Sequence, residues 1–248
     1  MIHIITNKNC MNEKKYIFEY MFKKIGVKFL IIWSDIQDYQ VIDSATGREV
    51  KFRDLFFNYA ESNWLLDCQD LLTNSTLNYQ ALNLELPNLS GSIKIPFGSG
   101  KLNYDESKKY TIDFDVFGSC FYLLSRYEEV DSTKLDQHNR FLFNASFAYS
   151  ADSLTIPLVD AYVWIFRTII EKNLEVTLPC VKSHNSKLNV SCDVDIPFVT
   201  PSNQFKIYKR FFKEFLFGKG ASSAKENFFM HQKNLLNGFS LDPFQLNL

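Results

Sequence analysis

Two aspartates separated by one residue, Asp193 and Asp195, close a stretch that reads as a buried strand. Between Lys187 and Phe198, the apolar Leu188, Val190, Cys192 and Val194 alternate with Asn189, Ser191, Asp193 and Asp195, which is the period of a β-strand. Successive strand side chains point to opposite faces, so both carboxylates project on one side, behind Asn189 and Ser191. Pro197 has no N–H for a ladder, and regular pairing should stop near it. Two carboxylates at the carboxyl end of a strand can hold a divalent cation, or divide ligand and base duties. Spacing alone is weak evidence, because Asp113-Phe114-Asp115 repeats it where a helix begins. Arg126, Glu128 and Glu129 near a helix end could be functional, and His138 and Arg140 in a polar loop could contact an anionic group. Local pairing or loop organisation is the alternative for each.

The segment around the aspartates resembles the first motif of the polysaccharide deacetylase family (NodB-homology carbohydrate esterases), in the variant Thr-His-Asp-Val-Asp-x-Pro. Ser191 and Cys192 replace its Thr and His, whereas Asp193, Val194, Asp195 and Pro197 match. Upstream, Asp115 to Glu129 is similar to the "DIFGSAFFLLSRYEE" signature of the bacterial domain that precedes this deacetylase variant. Asp136 to Phe141 resembles its "D-x-H-x-R-F", and Ala145 to Ala148 and Pro157 to Asp160 resemble its next two landmarks. Phe57 to Ala60 is similar, less specifically, to an "INYS" element.

The resemblance implies an α/β protein: an N-terminal α/β accessory domain over residues 1–183, then the first strand and helices of an incomplete deacetylase-type (β/α) barrel over 184–248. It also implies metal-dependent hydrolysis of acetyl groups on glycans, a hydrolase reaction at a non-peptide C–N bond. Asp193 would be the base and Asp195 the ligand of a divalent metal, zinc foremost. Val194 separates a pair that is usually adjacent, so the two roles could be exchanged. The family completes its site with His-x-x-x-His, but His3, His138, His184 and His231 do not form that spacing. A stable zinc site normally takes at least three protein ligands, so metal binding by this chain alone should be weak or absent. The alternatives are a non-catalytic glycan- or protein-binding module, and one half of a split deacetylase.

Composition sets the outer bounds. With 248 residues, 46% hydrophobic and 16% aromatic, the chain can bury a sizeable core, and its composition argues against disorder. A net charge of -1 gives no global attraction to nucleic acid or acidic membranes. The five cysteines are scattered without a C-x-x-C pair, which suggests neither a zinc knuckle nor a disulfide framework. The start carries no secretory pattern, and no segment reaches the ~20 apolar residues that span a bilayer. A reducing, cytoplasmic setting is expected, with a glycan as substrate and no nucleic-acid partner.

The elements that would position these residues begin with β-α-β: Ile2 to Thr6, a helix from Asn12 to Ile25, and Val27 to Trp33. Tyr16, Ile17, Tyr20, Met21 and Ile25 form the expected buried stripe of that helix, with lysines opposite, and Gly26 stops it. Tyr39 to Asp43 and Glu49 to Phe52 flank a hairpin turn, whereas residues 54–96 show a mixed pattern. Asp115 should cap a helix reaching Glu129, and a second helix spans Leu158 to Lys172. After the polar linker 179–187, Asn203 to Lys219 is amphipathic: Tyr208, Phe211, Phe212 and Phe215 oppose Lys206, Lys209, Arg210 and Lys213. Such a helix either packs through its apolar side or lies on anionic lipid. A barrel lacking its later strands would leave some of the 24 phenylalanines uncovered, so self-association or a complementing chain is expected through residues 187–248.

Overall fold

A computed structural model describes residues 1–66, 68–79, 91–104, 110–130, 134–179, 189, 203–217 and 221–237. Contacts divide the chain into two compact units, Met1–Ser183 and His184–Leu248. The first is mixed α/β. In chain order it contains β1 (Ile2–Thr6), α1 (Met11–Ile25), β2 (Phe29–Trp33), β3 (Tyr39–Asp43), β4 (Glu49–Phe52), α2 (Phe56–Asn63), β5 (Ser75–Asn78) and β6 (Ser92–Ile95). It continues with β7 (Leu102–Tyr104), β8 (Tyr110–Ile112), α3 (Val116–Leu124), α4 (Phe147–Ser150) and α5 (Leu158–Leu174).

Six strands form one mixed sheet in the order β2-β1-β3-β4-β8-β7, and β5 and β6 form a separate antiparallel pair. The β1–β2 and β4–β8 pairs are parallel; the other neighbours are antiparallel. Alternation along the central strands sets one apolar face, with Ile4 opposite Val41 and Val41 opposite Val50, all three buried. Against that face lie α1, α3 and α5, joined to it by aromatic edges. Phe117 of α3 sits 4.9 Å from Tyr39 and 5.1 Å from Phe166 of α5, and Phe18 of α1 is 4.8 Å from Phe117. Eleven of the 24 phenylalanines are buried in the core of this unit.

Local sequence accounts for most boundaries. Gly26 adopts φ 71°, and the Val27 N–H reaches back to the Phe22 carbonyl at 3.1 Å, closing α1. In the hairpin between β3 and β4, the Asp43 carboxylate accepts from the Thr46 N–H and hydroxyl. Two expectations need correction. The buried stripe of α1 is rotated: Lys14, Ile17, Phe18, Met21, Phe22 and Ile25 face inward, while Tyr16 is exposed. The inward face takes in Phe18 and Phe22 together with Lys14, whose ammonium has a buried partner in Asp54. Further on, α3 ends at Leu124 instead of Glu129, because Arg126 turns into the left-handed region (φ 54°) and Tyr127 to Val130 form a 3-10 turn.

The second unit, among the described residues, consists of α6 (Gln204–Phe217) and α7 (Ala221–Leu236). They pack through Phe211 and Tyr208 against Phe228, at 5.0 and 5.2 Å between ring centroids. Glu214 accepts from Asn227 across the pair and from Arg210 on its own helix. The expected apolar side is only partly used here: Ile207 is buried, whereas Phe212 and Phe215 are exposed. No helix among the described residues is long and apolar enough to cross a membrane.

Candidate functional site

Asp193 and Asp195 lie outside the described residues. Arg126, His138 and Arg140 are placed, each within a local arrangement. Asp136 organises the loop that carries His138 and Arg140. Its Oδ1 accepts from the backbone N–H groups of His138 (2.8 Å) and Arg140 (3.0 Å), and its Oδ2 from the Arg140 Nε (3.0 Å). Those bonds, the Arg140 N–H first, hold the Asp136 carboxyl below its ordinary range. Arg126 pairs with Glu129 on the turn after α3. No hydrogen bond or ion pair joins Arg126 to His138 or Arg140 among the described residues.

The remaining landmark residues of this stretch build the scaffold. The Tyr127 hydroxyl accepts from the Leu65 N–H at 2.7 Å beyond the end of α2, and its ring is buried against Phe56 at 5.0 Å. Glu128 accepts from the Phe147 N–H at 2.7 Å, and Ser146 caps the same helix by accepting from the Tyr149 N–H. Asp115 does the most. One oxygen accepts from Gly118 at 2.7 Å within α3, and the other from Leu55 (2.9 Å) and Phe56 (2.8 Å) at the start of α2. A single carboxylate thus satisfies the free donors of two helix N-termini. Burial, and then the nearby Asp54, push its pKa up to about 7 against the pull of those N–H groups.

The densest polar cluster went unrecognised in the sequence. At the carboxyl end of β1, Lys14 Nζ donates to Asp54 Oδ2 (2.6 Å), Asn7 Oδ1 (2.5 Å) and the Thr6 hydroxyl (3.2 Å), and both charged side chains are fully buried. Tyr39 donates its hydroxyl to Asp54 Oδ1 at 2.9 Å, and Asn7 donates to Asn58 Oδ1 at 2.9 Å. Burial pushes Asp54 upward against the attraction of Lys14, and it raises Tyr39 well above its usual value, with Asp54 adding to the effect. The signal that could have found it is periodicity. Lys14 stands three and four residues before Ile17 and Phe18, on the apolar side of α1. Lysine elsewhere in that helix is solvated, which hid the exception.

Chemically, this cluster is closed. Each ammonium proton of Lys14 and each oxygen of Asp54 has a partner inside the fold, and Lys14, Tyr39 and Asp54 are all buried. Burial and then Glu61 push the thiol of nearby Cys10 up to about 12, which disfavours its thiolate. Among the described residues, no three His, Cys, Asp or Glu side chains converge as a metal site.

The first unit is therefore a mixed-sheet α/β module whose buried polar side chains bond to one another and to helix starts. The chain belongs to a family described as a family of unknown function (DUF7033), whose model matches residues 2–175. No curated protein and no solved structure matches the chain.

Proposed function

We propose that this chain pairs a non-catalytic accessory module, residues 1–183, with the opening of a polysaccharide deacetylase barrel, residues 184–248, and serves metal-dependent deacetylation of glycans in the cytoplasm. One observation supports the reading. The signature residues Asp115, Gly118, Tyr127, Glu128, Asp136 and Arg140 all make scaffold or local loop contacts, so the chemistry that the resemblance implies is assigned to its remaining motif, Asp193 and Asp195, outside the described residues. A bound divalent ion would supply a polarised acetyl carbonyl and a more acidic water. Asp195 would hold that ion and Asp193 would take up the water's proton, or the two would exchange roles. Two carboxylates are suitable hard donors but too few, so a His-x-x-x-His segment from outside these 248 residues would complete the set around 187–248.

The test is zinc binding by the purified chain. Weak zinc binding, lost in Asp193→Asn with Asp195→Asn and removed by dialysis, is expected. One tight zinc per chain after dialysis, or weak binding that ignores both substitutions, would overturn the reading.

A further inference from the structure

We infer that α6 is a docking surface for an anionic lipid bilayer, through an aromatic stripe flanked by lysines. The helix has three faces. Ile207 and Phe211 turn toward α7, where Phe211 meets Phe228. Phe205, Phe212 and Leu216, spaced by seven and four residues, fall on a second line and stand 77%, 59% and 67% exposed. Lys209 and Lys213 run beside that line and Lys206 and Arg210 lie beyond them; with Glu214 and Phe217 these four line a shallow groove of about 540 Å³.

Charge decides what covers the stripe. The helix carries four basic residues and one acidic residue, in a chain whose net charge is -1, so the attraction is local. Glu214 is engaged by Arg210 (2.8 Å) and Asn227 (3.0 Å) and does not neutralise Lys209 or Lys213. Neither of those two lysines has an ion pair among the described residues. Apolar and basic lines lie side by side, so both meet the same plane. Aromatic rings would enter the acyl boundary while lysine stems reach up to lipid phosphates. A second copy would bring the same lysines to the same place, where they repel. Nucleic acid would engage the basic groove and leave the Phe212–Leu216 line in water. At 14 residues the helix lies on the surface and does not cross it.

The experiment is co-sedimentation of the full chain with vesicles of phosphatidylcholine, with and without phosphatidylglycerol. Binding to the anionic vesicles alone is expected, and it should weaken as salt rises from about 0.1 M to about 0.5 M. Lys209→Glu with Lys213→Glu should weaken it by more than about ten-fold. Phe212→Ser with Leu216→Ser, at exposed positions, should also abolish it while helicity by circular dichroism is unchanged. Lys8→Glu with Lys101→Glu makes the same change of charge elsewhere and should leave binding intact. Equal binding to neutral vesicles, or equal loss in the control pair, would overturn the inference. So would absence of lipid binding, whether accompanied by a dimer that Phe212→Ser with Leu216→Ser dissociates, by DNA binding that Lys209→Glu with Lys213→Glu removes, or by neither.

Discussion

A Cβ on Gly118 would come within 2.3 Å of the Asp115 carboxylate oxygen and 2.5 Å of the Phe56 Cβ. Glycine is needed at this point of α3 for close approach, since its φ is not in the left-handed region. Gly118→Ala is expected to cost roughly 2–3 kcal/mol, by displacing the shared carboxylate or the start of α2. Its neighbour provides the contrast. Ser119 is buried with no partner for its hydroxyl among the described residues, and Ser119→Ala should be neutral or slightly stabilising. Urea denaturation of both variants checks the pair.

Lys14 and Asp54 form the second test. Removing one partner leaves the other charge buried, so Lys14→Met should destabilise by about 3–5 kcal/mol. Combined with Asp54→Asn it should cost less than the sum of the two single changes, with a coupling of at least about 1 kcal/mol. A double-mutant cycle in urea measures that coupling; additivity would mean that the pair does not act as a unit.

Stability should also depend on pH through Asp115. Its pKa rises from 3.8 to about 7 on folding, so between those values the native state holds a proton that the unfolded chain has released. The stabilisation is full below the unfolded value and is lost as pH rises through about 7. Asp43, Asp136 and Glu214 shift downward, so their contribution disappears only as pH falls below the ordinary carboxylate range. Asp115→Asn should therefore be most destabilising near pH 4 and progressively less so toward pH 7. Denaturation of wild type and variant across that window gives the difference directly, and a difference that grows with pH would refute the assignment.

A chain ending at Ser183 should fold alone with a single cooperative melt, because the sheet, its three covering helices and the Lys14–Asp54 cluster all lie before that residue. Circular dichroism and scanning calorimetry are the measurements. An insoluble product, or a gradual transition, would show that residues 184–248 are required.

Local signals carried much of this fold into the sequence. The alternation of Ile2 to Thr6, the Gly26 stop, the Asp43 turn and the Asp115 cap all act within a few residues, where periodicity and capping chemistry can be read. What escaped was set by distant partners. Lys14 turns inward for Asp54, 40 positions away, and Asp115 reaches Phe56 across 59. The early end of α3 follows from Tyr127, which leaves the helical path to bury its ring and meet the Leu65 N–H. The parallel β4–β8 pair joins strands far apart in the chain, and within residues 54–96 the β5–β6 pair is likewise set by partners beyond the reach of a local pattern. For the candidate site, the local roles of Arg126 and of the His138–Arg140 loop were legible as alternatives. The closed buried cluster was not.

The shared acceptor at Asp115 has a kinetic consequence. The amide protons of Leu55, Phe56 and Gly118 end on one side chain, so breaking the first bond of either helix disturbs the other. Amide exchange at these three positions should follow one opening event, although they lie on different helices and about 60 residues apart. Solvent would reach both helix starts together or not at all, and α2 and α3 would keep a common clock.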